Sequence, residues 1–112
     1  MSQTSQTVFV VDDDEAVRQS LALLIRSMGL VAEVFASAQA FLAVCDPQRS
    51  GCMLLDIRMP GMSGLELQEE LQRRAIDLPV IFITGHGDVA MAVRAMKSGA
   101  VDFIEKPFNA QQ

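Results

Sequence analysis

The stretch Cys52-Met53-Leu54-Leu55-Asp56 decides the fold, because four apolar residues in a row end in a carboxylate. A short apolar run without polar alternation suits a strand buried on both faces, as in a parallel sheet covered by helices. Two further runs have this pattern, VFVV at residues 8–11 and VIFI at residues 80–83. Weaker candidates span residues 31–35 and 101–104, so the chain offers five candidate strands.

A helical pattern follows the first candidate strand. Val17, Leu21, Leu24 and Met28 recur at spacings of four, three and four residues, which predicts one apolar stripe of a helix. Gly29 comes directly after this stripe and is typical of a helix C-terminus.

Start signals mark the other helices. A second helix is predicted from the N-cap Ser37 to about Cys45, and a third begins with the capping-box pair Ser63 and Glu66. A fourth is predicted to begin after Asp88 and to end near residues 98–99. Strands and helices therefore alternate, and this alternation predicts an α/β fold with a doubly wound, five-stranded parallel sheet.

Length and composition indicate one compact domain. The 112 residues carry nine basic and fourteen acidic side chains, a net charge of -5, which argues against a nucleic-acid surface on this chain. Two cysteines without metal spacing fit a reduced, cytoplasmic setting. No apolar run is long enough for a membrane helix. The polar residues 1–7 are expected to form a disordered leader, with the domain spanning residues 8–112.

Polar side chains follow four of the candidate strands. Asp12 and Asp13 follow the first, Asp56 ends the third, Thr84 ends the fourth, and Lys106 follows the fifth. In open α/β sheets the reactive crevice lies beyond the carboxyl ends of the strands. These residues are therefore expected to converge at one edge of the sheet.

The chemistry of this set points to phosphoryl transfer. Two carboxylates about 4 Å apart repel by roughly 4 kcal/mol at an effective dielectric near 20, and a divalent cation would offset this cost. An all-oxygen donor set favours Mg²⁺ over zinc or copper. A cation, a hydroxyl and a lysine around one carboxylate suit an aspartate nucleophile that accepts a phosphoryl group.

Four segments carry a resemblance to a known family: VVDDDE at residues 10–15, LDIRMPGMSG at 55–64, TGHG at 84–87 and FIEKPF at 103–108. They resemble the motifs of response-regulator receiver domains, most closely those of the FixJ type, which precede a LuxR-type DNA-binding domain. The match covers nearly the whole chain in the right order. It implies a flavodoxin-like receiver with strand order 2-1-3-4-5. The chain ends at Gln112, so the family's fifth helix is expected to be missing or incomplete and the receiver to be truncated at its C-terminus.

The resemblance implies a role for each acidic residue. Asp56 is expected to be the phosphoacceptor. Asp13, Asp56 and the backbone carbonyl of Arg58 are expected to bind Mg²⁺ or Mn²⁺ directly, and Asp12 through a water. The protein would then be a signalling phosphoacceptor, with self-catalysed phosphorylation and dephosphorylation, and not an enzyme acting on other substrates.

Three further residues are implied to act with the phosphoryl group. Lys106 is expected to contact it and to assist transfer with Thr84. Thr84 is also expected to move towards the phosphate, and Phe103 to swing inward with it. Thr84 as a plain strand end and Lys106 as a surface lysine remain the alternatives.

The resemblance also implies partners. A sensor histidine kinase would supply the phosphoryl group, and the fourth helix and fifth strand would form a phosphorylation-dependent homodimer. Met91, Arg94 and Lys97 are the candidate partner surface, although the apolar residues of this helix equally suit a well-buried helix. DNA would be reached only through an output domain outside this chain, which would control transcription.

Two rival functions remain open from the sequence. A phosphohydrolase of the haloacid-dehalogenase kind would use Asp12 as nucleophile in an Asp-x-Asp pattern, but it would leave Asp56 without a duty. A flavin-binding module would need a phosphate-binding loop after the first strand, where this chain is acidic.

Overall fold

The structure, a computed structural model, describes residues 7–84 and 89–105, which form one parallel sheet with helices on both faces. The strands are β1 (Thr7–Val11), β2 (Val31–Phe35), β3 (Gly51–Asp56), β4 (Val80–Thr84) and β5 (Asp102–Glu105). The helices are α1 (Glu15–Ser27), α2 (Ala38–Leu42), α3 (Gly64–Arg73) and α4 (Val89–Lys97). The sheet order is β2-β1-β3-β4-β5 with every pair parallel, which confirms the predicted fold. Four helices occur among the described residues, and none follows β5 there.

Each face of the sheet has its own apolar core. On one face, Val10 of β1 packs in a cluster with Leu21 of α1. On the other, Phe9 of β1 packs in a cluster with Phe41 of α2 and Leu67 of α3, to which α4 also contributes. Both faces of the central strands are therefore covered, which explains their continuous apolar sequence.

The predicted helix signals have their expected structures. Ser37 caps α2, and Ser63 and Glu66 form a reciprocal capping box at the start of α3. Asp14 caps α1 through its side chain, the ordinary role expected for an acidic residue at a helix N-terminus. Gly29 follows the end of α1 with φ of 81°, a conformation that favours glycine.

The predicted apolar stripe of α1 is partly wrong. Leu21 is buried and Val17 is half-buried, but Leu24 and Met28 are 57% and 65% exposed. Ile25 is buried in their place. Neighbouring residues are about 100° apart around a helix, so a face that includes Ile25 turns Leu24 away from the sheet.

The predicted second helix is too long. It ends at Leu42 and not near Cys45. The Val44 N–H donates to the carbonyl of Phe41, three residues back, so the chain leaves the helix through a tighter turn.

Three strands differ from their predicted bounds by one residue, and β3 begins at Gly51 and not at Cys52. β5 spans residues 102–105 and not 101–104, because its ladder with β4 begins at the pair of Ile81 and Asp102. Thr7 belongs to β1 and pairs with Val31, so it is part of the sheet and not of the leader. Residues 1–6 of the predicted leader lie outside the described residues.

Both cysteines are half-buried free thiols. Cys45 contacts the core beneath α2 and α3, and Cys52 contacts the core beneath α1. Burial raises the pKa of the Cys52 thiol. Within residues 7–84 and 89–105, no helix has both the length and the apolar character needed to span a membrane.

Candidate functional site

The carboxyl ends of β1 and β3 bring three aspartates together. Val11 pairs with Leu55, so the next residues, Asp12 and Asp56, lie side by side at one edge of the sheet. One carboxylate oxygen from each of Asp12, Asp13 and Asp56 lies within 4.8 Å of the others. The predicted convergence of these three residues is therefore confirmed.

The three aspartates differ in burial. Asp12 is fully buried and Asp56 is 4% exposed, whereas Asp13 is exposed. Backbone groups orient the two buried carboxylates: the Asp14 N–H donates to Asp12 Oδ1 over 2.8 Å, and the Arg58 N–H donates to Asp56 Oδ1 over 3.3 Å. The site is thus a buried carboxylate pair with a third carboxylate at its opening.

This donor set fits a hard divalent cation. Carboxylate oxygens are the preferred protein ligands of Mg²⁺, which is usually held by one or two carboxylates together with water and phosphate oxygens. A cation among the three aspartates would also offset their mutual repulsion. The group formed by Asp12, Asp13 and Asp56 is therefore a candidate magnesium site.

Thr84 is buried at the same edge of the sheet. It ends β4, and its preceding residue Ile83 pairs with Asp56. The Ile57 N–H donates to the carbonyl of Ile83 over 3.0 Å, which extends the ladder one residue past Asp56. Thr84 is 1% exposed, so its side chain is shielded from solvent.

Phe103 lies on the neighbouring strand. It pairs with Phe82 in the β4–β5 ladder, is half-buried, and packs against the core beneath α2, α3 and α4. Phe103 thus lies on the strand next to the one that Thr84 ends, and the action of these two residues as a switch pair stays a prediction. Lys106 lies outside the described residues.

The loop after Asp56 leads into α3, and the first residue of this helix lies against the backbone at the end of β3. The Gly64 N–H donates to the carbonyl of Ile57 over 3.1 Å. A side chain at position 64 would overlap the carbonyl oxygen of Asp56 and would lie 2.9 Å from the Cα of Ile57. Gly64 therefore permits a close approach of helix and strand. The sequence interpretation assigned this residue no role.

The predicted partner surface lies on α4. Met91 is half-buried and lines an open groove together with Arg58 and Pro60 from the loop after Asp56. Arg94 and Lys97 are exposed. Arg58 is exposed as well, and the metal-ligand role of its backbone carbonyl stays a prediction.

A second residue that the sequence interpretation missed is Arg18. Its Nη1 donates to the backbone carbonyl of Asp12 over 2.7 Å, from the second turn of α1. The contact depends on the path of the loop between β1 and α1, which no spacing rule predicts.

Comparison with known proteins gives one consistent family. The family model described as a response regulator receiver domain matches residues 8–112. Nodulation protein W of Bradyrhizobium diazoefficiens is 52% identical over 111 residues, 99% of this chain and 49% of that protein. Transcriptional regulatory protein FixJ of Azorhizobium caulinodans is 55% identical over 105 residues, 94% of this chain and 50% of that protein. The chain thus spans about half the length of these relatives.

A solved structure gives the same result. The crystal structure of FixJ-N superposes with a TM-score of 0.87 at 51% identity, covering 97% of this chain and 87% of that one. The predicted resemblance to FixJ-type receivers is confirmed, and the haloacid-dehalogenase alternative gains no support. The fold, the site and the family match agree: the chain belongs to the response regulator receiver domain family of two-component signalling proteins.

Proposed function

We propose that Asp56 accepts a phosphoryl group and that the resulting acyl phosphate switches the surface of α4 and β5. Asp56 ends the central strand β3, is almost fully buried, and lies among the carboxylates that suit a magnesium ion. A buried carboxylate whose orientation is fixed by a backbone N–H is a suitable nucleophile, because little reorganisation is needed when it reacts.

In the proposed reaction a carboxylate oxygen of Asp56 attacks the phosphorus of a donor. The donor is a phosphohistidine of a sensor histidine kinase or a small acyl phosphate. A new P–O bond forms as the bond between phosphorus and the donor atom breaks, and the donor leaves with the bonding electron pair. Catalysis is mostly positioning and charge stabilisation, as is general for phosphoryl transfer.

Asp13 and Asp56 would hold Mg²⁺ or Mn²⁺ directly, with the Arg58 carbonyl as a third ligand and Asp12 acting through a water. The bound metal would neutralise charge on the phosphoryl oxygens. In this arrangement Asp12 and Asp13 serve only to bind the metal, and Asp56 is the carboxylate that reacts. The exposure of Asp13 beside two buried aspartates supports an entry point for the ion from solvent.

The switch would begin at Thr84. A phosphorylated Asp56 carries added negative charge and three acceptor oxygens, to which the Thr84 hydroxyl and the Lys106 ammonium can donate. Movement of Thr84 would open space into which Phe103 turns. Shifting a two-state equilibrium from 1:99 to 99:1 needs about 5.5 kcal/mol. A few charge-assisted hydrogen bonds, at roughly 1.5–3 kcal/mol each, supply that amount.

The consequence of the switch would be a homodimer through α4 and β5. Met91 lines one open groove with Arg58 and Pro60 of the loop that follows Asp56, so this groove extends from the loop beside the site to α4. Relatives that are twice as long include a transcriptional regulatory protein. We therefore infer that dimerisation controls a DNA-binding output domain, outside this chain, that regulates transcription, and that the receiver acts in the cytoplasm.

The observation that carries the proposal is the cluster of Asp12, Asp13 and Asp56 at the end of β3. Incubation with acetyl phosphate and Mg²⁺, followed by intact-mass measurement, should add one phosphoryl group to the wild-type chain. Asp56→Asn should abolish the addition, and removal of Mg²⁺ by a chelator should do the same.

Asp77→Asn is the matched control, because Asp77 is exposed and lies in the connection between α3 and β4, away from the cluster. This variant should be phosphorylated like the wild type. Retained phosphorylation of Asp56→Asn, with labelling on Asp12, would instead support the hydrolase-type nucleophile.

A further inference from the structure

Arg18 connects the first turns of α1 to the loop that carries the acidic site. Its side chain is half-buried, and its Nη1 donates to the backbone carbonyl of Asp12 over 2.7 Å. An arginine donor to a carbonyl this short is a charge-assisted hydrogen bond, stronger than a neutral one. The contact lies at the point where β1 ends and the loop begins.

Three hydrogen bonds hold Asp12 at this point. Its N–H donates to the carbonyl of Phe35 in β2 over 3.1 Å, its carboxylate accepts from the Asp14 N–H, and its carbonyl accepts from Arg18. The carbonyl of Asp12 and the N–H of Asp13 belong to the same planar peptide unit. Arg18 therefore fixes the plane from which the Asp13 side chain departs.

We propose that Arg18 is a positioning residue for the acidic site: it locks the peptide between Asp12 and Asp13 so that the Asp13 carboxylate stays close to Asp56. The inference rests on the proposed function in so far as the cluster binds a divalent cation. It goes further because it assigns part of that affinity to Arg18 of α1, whose positively charged side chain cannot itself be a ligand of a metal ion.

Two effects of Arg18 on metal affinity have opposite signs. As a positive charge near the site, Arg18 repels a divalent cation, so its removal alone would tighten binding. As a lock on the Asp12–Asp13 peptide, it places a ligand, so its removal would weaken binding. Groups that orient metal ligands typically change affinity by about 10–100-fold when they are removed. The sign of the change therefore separates the two roles.

The decisive measurement is Mg²⁺ affinity by calorimetry for the wild type and Arg18→Met, which keeps the aliphatic stem but removes the charge and the donors. We expect binding to weaken by about tenfold. Unchanged or tighter binding would overturn the positioning role. Arg18→Lys keeps the charge without the planar fork, so it should also weaken binding; unchanged affinity in this variant counts against the proposal in the same way.

Arg26→Met is the matched control. Arg26 lies two turns further along the same helix and lines the same open groove beside β2 as Arg18. Among the described residues its side chain makes no hydrogen bond or ion pair, so Mg²⁺ affinity should stay at the wild-type value or become slightly tighter. Weaker binding in Arg26→Met equal to that in Arg18→Met would show a general charge or folding effect and would overturn the proposal.

A metal-free readout tests Arg18 independently of the proposed function. Amide hydrogen exchange of the Asp14 N–H, which donates to Asp12, should be faster in Arg18→Met and unchanged in Arg26→Met. Unchanged exchange in Arg18→Met would contradict the lock. If the wild-type chain failed to bind Mg²⁺, the metal site itself would be wrong, while this exchange measurement would still decide whether Arg18 orders the loop.

Discussion

Asp12 and Asp56 are buried side by side, yet their carboxylates are oriented by different loops. The Asp14 N–H orients Asp12 from the loop before α1, and the Arg58 N–H orients Asp56 from the loop before α3. Asp13 is exposed, so its carboxylate is accessible to an ion that enters from solvent. This division of burial is consistent with separate roles for a nucleophile and for metal ligands within one acidic cluster.

Replacement of Thr84 should separate phosphorylation from the switch that follows it. Thr84→Ala should leave phosphorylation of Asp56 intact, because the nucleophile and the acidic cluster remain. It should abolish phosphate-dependent dimerisation, because the hydroxyl that would follow the phosphate is gone. Intact mass and size-exclusion chromatography after acetyl phosphate treatment measure the two effects separately.

Thr84→Ser is the control for this prediction, since it keeps the hydroxyl and removes only a methyl group. It should phosphorylate and dimerise like the wild type. Dimerisation of Thr84→Ala at the wild-type level would remove Thr84 from the switch.

The residues of the site were predictable to different degrees. Asp12, Asp13 and Asp56 could be identified because they follow buried strands, and parallel strands bring their carboxyl ends to one edge. The Arg18 contact and the close approach at Gly64 could not be predicted in this way. Both depend on the path of a loop, and a strand pattern does not determine that path.

At the scale of elements, α3 begins in direct contact with β3, the strand that ends in Asp56, the proposed phosphoacceptor. Ser63 and Glu66 fix the first turn of α3 through the capping box, and Gly64 lets that turn lie against the backbone of Asp56. The start of the helix and the position of Asp56 are therefore coupled by sterics. A movement of the helix start towards β3 would bring it into overlap with the backbone of Asp56.

Gly64→Ala tests this coupling. The added methyl group would overlap the Asp56 carbonyl oxygen, and overpacking of this kind costs about 1–3 kcal/mol of unfolding free energy. The phosphorylation rate should also fall, because Asp56 must shift. Urea unfolding followed by circular dichroism measures the first effect, which suits a chain without Trp or Tyr.

Glu69→Ala is the control, because Glu69 is an exposed residue of the same helix. It should change stability and phosphorylation little. Wild-type stability of Gly64→Ala would show that α3 can move away from β3 without cost.

Element types were predictable from local signals, but the direction in which α1 faces was not. The capping residues Ser37 and Ser63 act locally, so they could be identified from the sequence. The buried face of α1 depends on how the helix crosses the sheet, and several apolar residues compete for that face. Leu24 and Ile25 are adjacent in sequence, and only the packing decides which of them is buried.

At the scale of the whole molecule, an ion pair joins the edge strand β2 to the connection between α2 and β3. Arg49, in the connection between α2 and β3, donates from Nη1 to Glu33 of β2 over 3.0 Å and lies 5.1 Å from the centre of the Phe9 ring. The hydrogen bond from Arg49 lowers the pKa of Glu33. The ion pair therefore makes stability depend on pH.

The sign follows from the lowered pKa. At a pH above the ordinary carboxyl pKa near 4.5, Glu33 is ionised in both the folded and the unfolded state, and its ion pair stabilises the fold. This stabilisation is lost as the pH falls through the lower pKa that Glu33 has in the folded state. Glu33→Gln should thus be less stable than the wild type at neutral pH, and the difference should vanish in acid. Thermal unfolding across this pH range measures it, with Glu69→Gln as a control that should show no such dependence.

The charge distribution of α4 and β5 suits a two-fold contact. α4 has basic residues and no acidic one, whereas β5 exposes Asp102 and Glu105. In a symmetric dimer each surface meets its copy, so basic α4 residues would face acidic β5 residues of the other chain. Arg94→Glu should therefore prevent phosphate-dependent dimerisation while leaving phosphorylation intact.

Sedimentation velocity after phosphorylation tests this prediction. Arg26→Glu is the control, because α1 packs on the opposite face of the sheet and its charge should not affect the dimer. Dimerisation of phosphorylated Arg94→Glu at the wild-type level would place the interface elsewhere.

The central claim is that Asp56 carries the phosphoryl group, and chemical mapping tests it most directly. Borohydride reduces an acyl phosphate on aspartate to homoserine, so the modified position can be identified by peptide mass spectrometry. After acetyl phosphate and Mg²⁺ treatment, homoserine should appear at position 56 alone. Homoserine at position 12 or 13, with position 56 unmodified, would contradict the account.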